Sequence, residues 1–307
     1  MKITVVGGGA MGSLYAALMA DNGHKVSIVD PWLEHINEIR ENGLRVEGAS
    51  GSRIVNNITT YNDIENVENS DIYIVATKTS QVTAVAQKMA KIIKEETLVI
   101  TIQNGLGSGE KMSQHINPKN IILGVAEGFG SSIVKPGQVH HNAMKLIRLG
   151  EMKKMDFGRV KKLAGLWSDC GFNVKAFKDI DRLIWEKFIC NVTFSGPCTV
   201  FNCNIGELMS RSDQWSIALG CMQEAYKISI NKKISLSFDN PVSYVLEFGR
   251  RMPKAKPSML LDHEARRPSE IDAINGMVLN LGQSMKISTP YNEVITSLIL
   301  FKEKQWV

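Results

Sequence analysis

Ile3-Thr4-Val5-Val6-Gly7-Gly8-Gly9-Ala10-Met11-Gly12 decides the reading of this 307-residue chain. Four β-branched residues run straight into a G-x-G-x-x-G pattern, and helical composition follows from Ala10 until Gly23 stops it. A strand, a glycine turn and a helix N-terminus in that order suit an anion, because the first helical turn offers unpaired N–H groups and a partial positive charge. Gly7 suits the tight turn, Gly9 lets the backbone approach a pyrophosphate, and Gly12 lets the helix pack closely. Gly7, Gly9, Ala10, Met11 and Gly12 are therefore the expected contacts to a dinucleotide. The pattern alone is weak; its place between a strand and a helix gives it weight.

Outward from this motif, strands and helices alternate. Lys25–Asp30, Asp71–Ala76, Leu98–Ile102 and Ile121–Val125 read as strands, and Trp32–Asn42 and Val82–Ile93 as helices. Such alternation predicts right-handed crossovers and a doubly wound parallel sheet covered on both faces. The character changes near Phe177-Lys178-Asp179. Beyond it Leu183–Phe194, Trp215–Ile230, Pro241–Arg251, Glu270–Ser284 and Asn292–Lys304 all read as helices. The expectation is an α/β dinucleotide-binding domain over 1–178 and an all-helical substrate and catalytic domain over 179–307.

Composition fits an ordinary globule: 44% hydrophobic and 22% charged, with 36 basic against 31 acidic residues, net +5. That mild excess suits small anionic ligands and does not call for nucleic acid. The basic clusters, such as Lys153-Lys154 and Arg250-Arg251, are interspersed with acids and lack aromatic partners. No run approaches the ~18 apolar residues of a membrane span. No signal peptide is evident, so the expected location is cytoplasmic. Five cysteines, with no C-x-x-C, read as buried thiols rather than a disulfide framework or zinc site. The six histidines show no metal-ligand spacing, so no metal is assigned.

Asp30 ends the second strand, 18 residues beyond Gly12. A carboxylate there accepts hydrogen bonds from the adenine ribose hydroxyls and repels a 2′-phosphate, which favours NADH over NADPH. Lys78, in Thr77-Lys78-Thr79-Ser80-Gln81, is a cation that could instead neutralise a phosphate. Asn104 follows another strand end, in Gln103-Asn104-Gly105, where open α/β sheets bind ligands. Lys187 and Asn191 are four residues apart in the mainly apolar Trp185–Asn191 stretch and share one helix face. Polar groups in such a stretch need partners.

Together these residues resemble the ketopantoate reductase family, the 2-dehydropantoate 2-reductases. The motifs are G-x-G-x-x-G, T-K-x-x-Q, Q-N-G, W-x-K-x-x-x-N, and the pair Pro257-Ser258-Met259-Leu260-Leu261-Asp262 and Ser269-Glu270-Ile271-Asp272-Ala273-Ile274-Asn275-Gly276. They stand in the expected order over nearly the whole chain. The resemblance implies a Rossmann domain plus a helical domain, and NAD(P)H-dependent reduction of a small 2-oxo acid, 2-dehydropantoate, with NADPH the usual family cofactor. It implies Lys187 as the catalytic lysine and general acid, and Glu270 as a contact to both cofactor and reacting oxygen. It implies substrate contacts at Asn191 and Ser258, a cofactor and substrate contact at Asn104, and cofactor contacts at Lys78, Gln81 and the backbone near Gly130. A monomer or homodimer is expected.

The chain departs from the family at the substrate wall. A second family asparagine is replaced by Phe194-Ser195-Gly196-Pro197, and another by Ile205 in Asn204-Ile205-Gly206-Glu207. The alternatives are therefore a reductase of another small branched 2-oxo acid, or a non-catalytic NAD(P)-binding sensor. A sensor needs only the glycine loop and ribose contacts, so the presence of Lys187, Asn191, Ser258 and Glu270 together favours an enzyme.

Overall fold

The computed structural model describes residues 1–128 and 130–306. The chain divides into two compact units, 1–103 with 108–180, and 104–107 with 181–307.

The first unit holds β1 (Lys2–Val6), α1 (Ala10–Asp21), β2 (Lys25–Val29), α2 (Leu33–Asn42), β3 (Leu44–Gly48), β4 (Arg53–Val55), β5 (Ile58–Tyr61), β6 (Ile72–Val75), α3 (Val82–Met89), β7 (Leu98–Thr101), α4 (Ser108–Ser113), β8 (Ile121–Glu127), β9 (Gly130–Lys135), β10 (Gln138–Ala143), β11 (Leu146–Glu151), α5 (Phe157–Asp169) and β12 (Val174–Ala176). The large sheet has the order β12-β11-β8-β7-β6-β1-β2-β5. Its strands from β8 to β5 are parallel, while β11 runs antiparallel to β8. The chain moves outward from β1 through β2 to β5, then returns to the other side of β1 at β6. The carboxyl ends of β1 and β6 therefore form the switch point where such sheets bind ligands. Ile3 to Val6 are all buried, as expected of a strand covered on both faces.

A second sheet, β4-β3-β10-β9, is absent from the sequence reading. It packs into the same core as α1, through Leu44, Val46, Val55 and Val139. This explains why α1 is buried without a break from Gly12 to Ala20: both of its sides are covered, one by each sheet. The reading missed these strands because they carry polar residues in place of an apolar run, as in Ser131-Ser132 and His140-His141-Asn142.

The second unit is helical: α6 (Ile180–Phe201), α7 (Ile205–Ser210), α8 (Ser212–Asn231), α9 (Pro241–Arg251), α10 (Ser258–Glu264), α11 (Asn275–Met285) and α12 (Pro290–Glu303). Two expectations change in detail. First, α6 does not stop at Phe194 but runs through Pro197 to Phe201. A proline there removes one backbone hydrogen bond, but every residue from Val192 to Thr199 is buried, so tertiary packing overrides the local penalty. Second, the helix expected from Glu270 is broken. A short 3-10 turn, Ile271–Ala273, precedes α11, with Ile274 at φ −112° and ψ −101° between them. Among the described residues no helix is long and apolar enough to cross a membrane.

Candidate active site

The glycine loop lies at the switch point. Gly7 has φ +100°, and a Cβ there would lie 2.7 Å from the Thr77 backbone nitrogen just past β6. A Cβ on Gly12 would lie 1.8 Å from the Gly7 carbonyl oxygen, so the first helical turn folds tightly over the loop. Gly9, the N-cap of α1, behaves differently: a Cβ there meets nothing within 4 Å, and no side chain caps the helix. The loop is thus closed from behind and open where α1 presents its first amides, a cradle that fits a pyrophosphate. Gly8, the variable position of the motif, is also constrained, since a Cβ would meet Ile28 Cγ2 at 2.8 Å and Asp30 Cβ at 3.1 Å.

Asp30 is bound into this loop. Its Oδ2 accepts the Gly8 N–H at 2.7 Å and its Oδ1 accepts the Trp32 N–H at 2.9 Å. A carboxylate has about four acceptor positions, so capacity remains for ribose hydroxyls. Met11 touches β9, where the Ser131 hydroxyl donates to Met11 Sδ at 3.3 Å. That contact brings the Gly130 backbone beside the glycine loop. Lys78 and Gln81 are exposed on the turn after β6, and the Gln81 N–H donates to the Lys78 carbonyl at 2.9 Å.

In the helical unit, α6 presents the second group of candidates. From Trp185 to Thr199 every residue is buried except Lys187 and Asn191. The two polar side chains, one turn apart, are thus the openings in an otherwise sealed stretch. Lys187 Nζ donates to Asn104 Oδ1 at 2.8 Å. The segment carrying Asn104 docks on the turn after Glu270: the Leu106 N–H donates to the Ala273 carbonyl at 3.0 Å, and the Ala273 N–H donates to the Glu270 carbonyl at 3.0 Å. Gly105 is needed there, because at φ +84° a Cβ would sit 2.2 Å from the Ala273 oxygen. Residues distant in sequence are in this way drawn to one place.

The loop before Glu270 is also tied down. The Arg267 guanidinium pairs with the buried Asp262 carboxylate at 3.1 Å. Glu303 Oε1, near the end of α12, accepts the Ser269 N–H at 2.9 Å and the Ser269 hydroxyl at 2.7 Å, and lies 3.1 Å from His263 Nε2. Ser269 therefore anchors to Glu303 through both its backbone N–H and its hydroxyl. No sequence signal links Glu303 to this loop, which lies 34 residues away. Ser258 opens α10 and is exposed.

The departures from the family pattern at residues 194–197 and 205 have physical causes. A Cβ on Gly196 would lie 2.5 Å from Ile295 Cγ2 and 2.6 Å from Asn275 Oδ1, so no asparagine fits. Asn275 Nδ2 is itself bound to the Val192 carbonyl and to Asn292 Oδ1. Ser195 and Ile205 are buried. Asn204 is the N-cap of α7 and forms a capping box with Glu207, so its Oδ1 already accepts the Glu207 N–H at 2.9 Å.

Comparison with known proteins decides the family. Residues 3–154 match the model of ketopantoate reductase PanE/ApbA, and residues 179–303 match its C-terminal model. The chain belongs to the ketopantoate reductase family. It is a member of a family of nicotinamide-dependent oxidoreductases, and it has the family's α/β sheet followed by helices. It is 29% identical to the 2-dehydropantoate 2-reductase of Streptococcus pyogenes over 99% of this chain and 98% of that protein. Among solved structures, 2-dehydropantoate 2-reductase from Geobacter metallireducens is 30% identical, with a TM-score of 0.89 over 97% of this chain and 99% of that one. D-mandelate dehydrogenase, solved with NADH and anilino(oxo)acetate, is 27% identical, with a TM-score of 0.91 over 100% and 99%. Relatives of this ketopantoate reductase family member thus carry the names of more than one 2-oxo acid reaction.

Proposed function

We propose that this protein reduces a small 2-oxo acid, 2-dehydropantoate in the first place, to the 2-hydroxy acid, with Lys187 as general acid. The observation that carries the reading is the Lys187–Asn104 hydrogen bond, on a helix stretch where only Lys187 and Asn191 reach the surface.

A bound reduced nicotinamide supplies a hydride to the carbonyl carbon. As charge builds on the carbonyl oxygen, the Lys187 ammonium stabilises it and gives it a proton, leaving a neutral amine that regains its proton from water. Asn104 fixes the direction of Lys187, whose ammonium it holds by one hydrogen bond. Asn191, Ser258 and Glu270 hold the carboxylate and hydroxyl groups of the substrate and product. In the first unit, the α1 N-terminus and residues 7–12 bind the pyrophosphate, with Lys78, Gln81 and Gly130 along the rest of the dinucleotide. Asp30 takes the ribose hydroxyls, which favours NADH.

The crowding at Gly196, the buried Ile205 and the capping role of Asn204 support a second reading. With these two family asparagines missing and Asn204 used as a cap, the preferred substrate is a branched or bulky 2-oxo acid that needs fewer hydroxyl contacts. A kinetic screen of NADH and NADPH against 2-dehydropantoate and apolar 2-oxo acids tests both readings. Turnover highest with 2-dehydropantoate supports the first; turnover highest with an apolar acid supports the second. No turnover with any of them, despite dinucleotide binding, would return the sensor reading.

A further inference from the structure

We propose that His35 is the positioning residue of the adenosine side of this site: a neutral imidazole that holds the glycine loop, Asp30 and Trp32 in register. The proposal rests on reading the first unit as the dinucleotide binder.

His35 is fully buried in the first turn of α2, a helix most of whose residues are exposed. The backbone N–H of Gly137, in the turn between β9 and β10, donates to His35 Nδ1 at 3.0 Å. A backbone N–H can only donate, so Nδ1 accepts, and in a neutral ring Nε2 then carries the proton. That Nε2 lies 2.9 Å from Ser13 Oγ and donates to it. The Ser13 hydroxyl donates onward to the Gly8 carbonyl at 2.8 Å. The Gly8 N–H donates to Asp30 Oδ2, and the other Asp30 oxygen accepts the Trp32 N–H. The Trp32 indole then lies on the His35 ring, with centroids 4.8 Å apart and planes 11° from parallel.

The series returns to the residue it began from. Every donor in it has an acceptor, and the direction of each bond is set by chemistry. Protonation of Nδ1 would set one N–H against another at Gly137. Burial pushes the His35 pKa down, and the Asp30 charge opposes that shift. The consequence for binding lies at Gly8. Its carbonyl is held by Ser13 and its N–H by Asp30, so the peptide planes on both sides of Gly8 are fixed before a ligand arrives. The amides that follow, at Gly9 and Ala10, are then already aimed into the open side of the cradle. Preorganisation of this kind raises affinity by lowering the ordering cost of binding. Trp32, 38% exposed beside Asp30, is held by the same ring as a flat wall.

The test is a set of variants in the full chain, each checked by thermal melting and titrated with NADH by fluorescence, with kcat measured at saturating NADH. His35→Leu and Ser13→Ala should each raise the NADH Kd about tenfold, the effect of losing a buried hydrogen bond, with kcat within about threefold of wild type. The double variant should be no worse than the worse single one, because both act through the same Gly8 carbonyl. His35→Gln, which keeps a donor toward Ser13, should bind within about threefold of wild type. A folded His35→Leu with unchanged Kd, effects that add, or a His35→Gln as weak as His35→Leu would each overturn the proposal. If the wild type bound neither NADH nor NADPH, the dinucleotide reading would fail first and this inference with it.

Discussion

The glycine-loop wall of the first unit and the Lys187 face of the second solve opposite problems. The first is built from two sequence stretches, residues 7–13 and 30–35, whose polar atoms bind one another. Its open side presents backbone amides at the α1 N-terminus. The second is gathered from residues distant in sequence, Asn104 on Lys187 and the segment 104–107 on the turn after Glu270, and presents the Lys187 ammonium on an otherwise buried helix stretch. In the proposed reaction one wall binds by shape and the other acts by charge. The first should therefore be sensitive to an added Cβ, and the second to the loss of one functional group.

Lys187→Ala gives the largest effect expected from this contrast. Removing a general acid lowers kcat by about 10²–10⁴-fold. The NADH Kd should stay near wild type, because no part of the glycine loop changes. Lys187→Arg should not restore the rate, since a guanidinium keeps its proton at any working pH. A kcat within a few-fold of wild type in a folded Lys187→Ala protein would remove the assignment.

Gly12→Ala attacks the other wall with one methyl group. That carbon would sit 1.8 Å from the Gly7 carbonyl oxygen, a backbone atom that cannot swing aside. Overpacking of this kind costs about 1–3 kcal/mol. A lower Tm and weakened NADH binding are expected, with the chemistry of bound substrate intact. Equal Tm and Kd would mean that the loop is looser than its geometry.

The contrast also explains what could be read from the sequence. The glycine loop was legible because strand, turn and helix signals fall within about ten consecutive residues. The helical second half was legible from periodicity. The small sheet was not, since its strands are half polar, and β10 pairs with β3 across a long sequence gap. At the Lys187 face, residue types and spacing marked the candidates. The docking of Asn104 against Lys187 and the anchoring of Ser269 by Glu303 are tertiary events with no local signature. The tight contact at Gly196 is of the same kind, because it depends on Ile295 and Asn275 from two other helices.

Asp30 gives a smaller effect and sharpens the claim that the first wall works by shape. Its carboxylate is bound into the loop through Gly8 and Trp32. Asp30→Ser keeps an acceptor near the Gly8 N–H and removes the charge. Affinity for NADPH relative to NADH should rise about tenfold, the size of one like-charge contact at a protein surface. An unchanged ratio would move the selectivity elsewhere, with Lys78 the next residue to test.

The smallest effect is a pH dependence of stability. Burial lowers the His35 pKa from its ordinary 6.5, against an opposing pull from Asp30. The unfolded chain therefore takes up this proton first as pH falls. The stabilising contribution is complete above about pH 6.5, and it is lost as pH drops toward the lower folded value. His24 and His141 are shifted in the same direction, each chiefly by burial. Replacing His35 thus removes only one of several contributors. The fall in Tm between about pH 7.5 and about pH 5 should be shallower in His35→Gln than in wild type. Identical slopes would mean that the His35 proton is not taken up on unfolding, and that a charged imidazole is tolerated between Gly137 and Ser13. In that case the glycine-loop wall would not depend on a neutral imidazole.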